Sequence, residues 1–215
     1  MHHINPNETR SVLAALRSVV PTREVSFTEA KRVAELQANR LLARFDITNG
    51  PVPSEIVTEL RRVHVIYETL PVSGTSHWSG THWIITLNKR EAWVRQRFTL
   101  MHEFKHIIDH GHADRLYTGS RRHTANEQAE LVADYFAACV LMPKRALKAA
   151  WVQGIQTPLK LGREFQVSTM AAEVRLSQTG LNVDCDPIPQ PPLGRIARGR
   201  QPMYQRQLAP QGASS

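Results

Sequence analysis

The run His102-Glu103-Phe104-Lys105-His106 constrains this chain more than any other. Leu100, Phe104, Ile107 and Ile108 surround it, and the pattern from about Ala92 to His110 has helical spacing, stopped by Gly111. A fold that buries such a helix must also find partners for two imidazoles and a carboxylate. Histidines at i and i+4 lie about 40° apart around a helix, so both rings point to one side. Neutral imidazole nitrogen is a preferred zinc donor. Glu103 falls on an adjacent face, placed to meet an attacking water rather than the metal. With 10 His among 215 residues, chance gives the H-E-x-x-H pattern on the order of 0.03 times, so a third ligand is worth seeking.

The next long helical pattern, from about Asn126 to Leu141, supplies acids. Glu130 and Asp134 have i, i+4 spacing, so Glu130 can bind the metal while Asp134 accepts the outer N–H of a liganding histidine. Glu127 is the rival ligand, although Leu131 and not an acid follows it four residues on. Cys139 is about half a turn away from Glu130 and reads as a small core residue. Two His, one Glu and an open fourth position form the pattern of a catalytic zinc site. The reaction class implied is peptide or amide hydrolysis, with Glu103 as the general base.

The segment Arg97-Phe-Thr-Leu-Met-His-Glu-Phe-Lys-His-Ile-Ile-Asp-His110 resembles the signature of the ImmA/IrrE family of metallo-endopeptidases. So does Glu130-Leu-Val-Ala-Asp-Tyr-Phe-Ala-Ala-Cys-Val-Leu-Met-Pro143. The resemblance extends from about Ser26 to Leu181 and includes Leu87-Asn88, Phe165-Gln-Val-Ser168 and Arg175-Leu176. It implies a zincin-like fold, His102, His106 and Glu130 as zinc ligands, and Glu103 as base. It also implies a protein substrate: family members cleave helix-turn-helix repressors and so release phage, mobile-element or stress genes. Two departures stand out. Phe104-Lys105 replaces a frequent Leu-Gly pair, and Lys105 should face away from the metal. Asp134 stands where Asn is common, which should strengthen the hydrogen bond to a ligand.

The rest of the chain frames this site. The expected fold class is α+β: a mainly helical metallopeptidase domain with a small β-sheet, then a helix-turn-helix-like segment. Asn7 can cap a first helix ending before Pro21, and residues 1–25 read as an N-terminal extension. The peptidase domain spans 26–156. It opens with a capping box, Ser26-Phe-Thr-Glu29, and a helix carrying Val33, Leu36, Leu41, Leu42 and Phe45. Val63–Tyr67 and Trp83–Leu87 read as strands, and Gly74 and Gly80 as punctuation of a turn region between them. Residues 157–185 form the helix-turn-helix-like segment, with a Val167-Ser168 turn. Its second helix offers Thr169, Ala171, Ala172 and a lone Arg175, which favours structural packing or substrate docking over base readout. Residues 186–215 hold six of the 13 prolines, four arginines and one acid, and read as a disordered basic tail.

Charge is the skewed quantity: +8 overall with a pI near 10.0, which implies a weak tendency to associate with nucleic acid. No apolar run reaches the ~18 residues of a membrane span, no signal peptide opens the chain, and Cys139 and Cys185 cannot make a disulfide framework. A cytoplasmic protein without membrane contact is expected. His123 and Tyr117, between the two metal helices, are weak candidates for stabilising an oxyanion. The alternative to an enzyme is a non-catalytic regulator or toxin–antitoxin component that binds a repressor or DNA, with structural zinc or none. Glu103 separates the two, because a structural site needs ligands but no base.

Overall fold

The structure, a computed structural model, describes residues 8–181, with side chains from Val12 onward. The Asn7 cap and the 186–215 tail lie outside the described residues. Nine helices and three strands are found among those described: α1 (Glu8–Arg17), α2 (Phe27–Arg44), α3 (Glu55–Thr58), β1 (Val63–Glu68), β2 (Gly74–Trp78), β3 (Trp83–Asn88), α4 (Trp93–Asp109), α5 (Ala113–Leu116), α6 (Ala125–Leu141), α7 (Lys144–Val152), α8 (Pro158–Phe165) and α9 (Thr169–Thr179). The sheet order is β1-β3-β2, with β1 parallel and β2 antiparallel to β3. The fold is α+β, mainly helical with a small mixed sheet.

Local chemistry accounts for several element ends. Ser26 accepts from the Glu29 backbone while Glu29 reaches back, the expected capping box. Thr157 caps α8, with Pro158 in the first turn, and Ser168 caps α9. Past α4, Gly111 takes a left-handed φ of 81° that a side chain would resist. Leu36 departs from the apolar stripe expected for α2 and is exposed.

The sequence reading missed the short helix α5 after Gly111 and read one strand otherwise. The segment around Gly74, expected as a turn region, is the edge strand β2. Gly-Thr-Ser-His-Trp has no apolar alternation, so its strand character comes from pairing with β3 rather than from its own pattern.

Helix α4 is the centre of the molecule. It packs against β2 and β3 on one side and against α6 on another, and α6 in turn packs on α2. From Arg97 to Asp109 every residue is buried except the half-buried His106. A helix so enclosed must satisfy each polar side chain internally. Arg97 donates to the carbonyls of Phe165, Gln166 and Val52, tying the α8–α9 turn and the 51–53 loop to the first turns of α4. Lys105 is fully buried and ion-paired with Asp109, which also accepts from the Tyr117 hydroxyl. Burial pushes the Lys105 pKa down against the pull of Asp109. Lys105, expected only to face away from the metal, is thus part of the core. Breaking that pair by Asp109→Ala should cost about 3–5 kcal/mol, because an uncompensated ammonium is left inside. Urea unfolding will measure it, and a loss below about 1 kcal/mol would mean that the pair behaves like a solvated one.

The helix-turn-helix-like segment shares this core. Leu161, Phe165, Val167, Ala171, Ala172 and Leu176 are buried in the same cluster as α4 and α6. Arg175, the one basic side chain of α9, is 2% exposed and donates to the Met142 carbonyl at the end of α6. Among the described residues no helix is long and apolar enough to cross a membrane.

Candidate metal centre

Helices α4 and α6 cross side by side and bring His102, His106 and Glu130 together. His102 Nε2 and His106 Nε2 are 3.1 Å apart. Glu130 reaches both rings, Oε2 at 3.3 Å from His102 Nε2 and Oε1 at 3.4 Å from His106 Nε2. Among the described residues this trio is the one group of three donors able to hold a metal. Tetrahedral zinc with bonds of about 2.0–2.1 Å has donor-to-donor edges of roughly 3.3–3.4 Å. The observed separations are close to those edges, the two carboxylate oxygens each facing one ring, and one donor atom from each residue lies within 4.8 Å of the others, so the donor set can close on such an ion.

Proton placement supports the same fit. His102 Nδ1–H donates to Asp134 Oδ1 at 2.8 Å, which leaves the Nε2 lone pair of the neutral ring aimed at His106 and Glu130. That nitrogen, His106 Nε2 and the Glu130 carboxylate converge, and each has a lone pair that it can offer to a bound cation. Burial disfavours a charged His102 ring, but the bonds to Asp134 and Glu130 outweigh it and push its pKa up to about 10. Burial likewise raises the Glu130 pKa, and the two rings pull it well below the ordinary carboxylate value.

Glu103 is buried beside the cluster, on the face of α4 that meets β2. The Ser76 hydroxyl donates to Glu103 Oε2 at 2.8 Å. Gly74 allows that approach: a Cβ there would stand 2.5 Å from Thr99 Cγ2 and 3.4 Å from Glu103 Cγ. Neither Gly74 nor Ser76 carries a chemical signature in the sequence, since a short polar run between glycines gives no sign of which helix it will touch.

The remaining candidates sort by their contacts. Glu127 belongs to a capping box at the start of α6, accepting from the Thr124 backbone at 2.9 Å while Thr124 accepts from its own N–H. That role separates it from Glu130. The Tyr117 hydroxyl donates to Asp109, beside Lys105. The His123 ring stands against Phe27, 5.7 Å between centroids, in the loop before α6. Cys139 is buried as expected, and burial pushes its thiol up to about 11. A cleft of about 450 Å³ opens beside Tyr67, Trp93 and Arg97, at the start of α4. The metal trio and Glu103 are not among its walls.

No curated protein matches the chain. A solved structure, a Mycobacterium tuberculosis transcriptional regulator, is similar in fold, with a TM-score of 0.54 and 15% identity over 81% of this chain and 52% of that one. The present chain therefore spans about half the length of that protein. The family profile described as IrrE N-terminal-like domain, Peptidase M78, matches residues 59–177. That span holds the sheet, both metal-site helices and nearly all of α9. More than half of the sequence is matched, and on that ground the chain belongs to the Peptidase M78 family of IrrE N-terminal-like domains.

Proposed function

We propose that this protein is a zinc-dependent endopeptidase that cleaves a helix-turn-helix transcriptional repressor, derepressing phage, mobile-element or stress genes. The observation that carries the reading is the convergence of His102 Nε2, His106 Nε2 and the Glu130 carboxylate, one donor atom from each within 4.8 Å of the others, with Glu103 beside His102 on the same helix but outside the donor set. His102, His106 and Glu130 would hold zinc. Zinc held there supplies a Lewis acid that polarises a carbonyl and makes water nucleophilic near neutral pH.

The chain's own groups do the rest. Glu103 takes the proton of the attacking water at a carboxylate oxygen and delivers it to the leaving amine. Asp134 holds His102 in the tautomer that points Nε2 inward and raises its donor strength. Among the described residues β2 is an edge strand, and an extended peptide adding to it would run past Glu103. Residues 26–156 act as the peptidase domain in this reading, with α8 and α9 packed on it as support. The rival DNA-reading role loses its natural contact, because Arg175 is spent inside the core. The partner class rests on the family resemblance.

The test is direct. Zinc-loaded protein should cut the helix-turn-helix repressor encoded nearest its gene into discrete fragments, a chelator should stop the reaction, and added zinc should restore it. Relief of repression with an intact repressor would instead support sequestration.

A further inference from the structure

We infer that Ser76 is a positioning residue for the general base: its hydroxyl, carried on the edge strand, fixes which way the Glu103 carboxylate points. The inference rests on the endopeptidase reading above and adds a second residue to the proton-handling device.

The geometry begins with register. Ser76 pairs with Ile85 on β3, and Ile85 is fully buried, so the two side chains share the face of the sheet that covers α4. Gly74 lies two residues earlier on that same face. Its missing side chain lets the strand approach until a Cβ would collide with Thr99. Thr99 is one helical turn before Glu103, so the contact that seats Gly74 also sets the height of Ser76 over the carboxylate. The result is the 2.8 Å bond to Oε2.

A carboxylate at the end of a glutamate turns about a broad terminal torsion. With Oε2 held, that torsion narrows and Oε1 faces one direction. A general base must stand within hydrogen-bond reach of the proton it takes, and a misplacement of about 1 Å can cost on the order of 10²-fold. Ser76 carries a second consequence. The strand that would receive the peptide through its backbone also holds the base through its side chain. A peptide in register on β2 is therefore in register with Glu103.

The experiment uses the full chain, zinc-loaded, as Ser76→Ala, Ser76→Thr, Glu103→Gln and the Ser76→Ala/Glu103→Gln double variant. Two readouts are taken: kcat and KM for the repressor, and the ¹³C carboxyl resonance of Glu103 at one fixed pH, identified by its absence from Glu103→Gln. Ser76→Ala should lower kcat about 10- to 100-fold with KM within about twofold, the scale of a hydrogen bond to a charged group. Its Glu103 resonance should move. Ser76→Thr keeps the hydroxyl on a residue suited to a strand, and should restore both. In the Glu103→Gln background Ser76→Ala should add nothing, because it acts through the base. An unmoved resonance in Ser76→Ala overturns the inference, whatever the rates do. So does an unchanged kcat in Ser76→Ala beside an inactive Glu103→Gln, which leaves the endopeptidase reading standing. Full-rate cleavage by Glu103→Gln removes that reading and this one with it.

Discussion

Glu103→Gln protein should keep its fold and its zinc and lose cleavage of the repressor by about 10²–10⁴ in rate. Glutamine has nearly the same volume and can still accept from the Ser76 hydroxyl, so the contact between β2 and α4 survives. The carboxamide cannot take a proton from water. The metal trio is untouched, because Glu103 lies outside it. The expected result is therefore selective: unfolding midpoint and metal content near those of the unsubstituted protein, partner still bound, peptide bond intact. Complexes trapped on a column with uncut repressor would make the separation visible. Cleavage at an unaltered rate would show that the hydrolytic mechanism is wrong. If neither form cuts and both relieve repression, the protein works by sequestration.

Ligand substitutions should produce the other large effect. His102→Ala, His106→Ala and Glu130→Ala should each fall from about one zinc per chain to almost none after dialysis, because three protein donors are the minimum seen in catalytic sites. Asp134→Ala should hold zinc about 10- to 100-fold more weakly, since it removes the group that orients His102 without removing a ligand. Glu127→Ala should retain the metal and lose only about 1 kcal/mol of stability with its part in the α6 cap. Metal analysis with a competing chelator distinguishes these three classes. Full zinc in Glu130→Ala alongside loss in Glu127→Ala would reverse the assignment of the third ligand.

Much of this site was legible in the residues themselves, because helices convert sequence spacing into direction. His102 and His106 at i, i+4 must share a face, and so must Glu130 and Asp134. Apolar neighbours on both segments marked the two helices as buried, which left those polar groups to satisfy one another. The Ser26–Glu29 capping box, proline and glycine marked helix ends for similarly local reasons. The α+β class, the two strands with apolar runs and the helical pair after Pro158 followed from the same kind of pattern.

What the residues left undecided are contacts between segments far apart in the chain. Glu127 and Glu130 are three residues apart on one helix, and only the crossing of α4 and α6 turns Glu130 toward the histidines while Thr124 occupies Glu127. Lys105 read as a side chain merely turned aside, yet α4 is enclosed on so many sides that it had to find Asp109 inside the core. Tyr117 was drawn to that same carboxylate. Strand β2 was invisible because its backbone bonds are made with β3 and its polar side chains show no alternation. Ser76 became a partner of Glu103 only once that strand was laid against the helix. Spacing along one element is set by backbone geometry and can be read directly, whereas the partner of a buried polar group depends on which surfaces pack together, and that is decided by the whole fold.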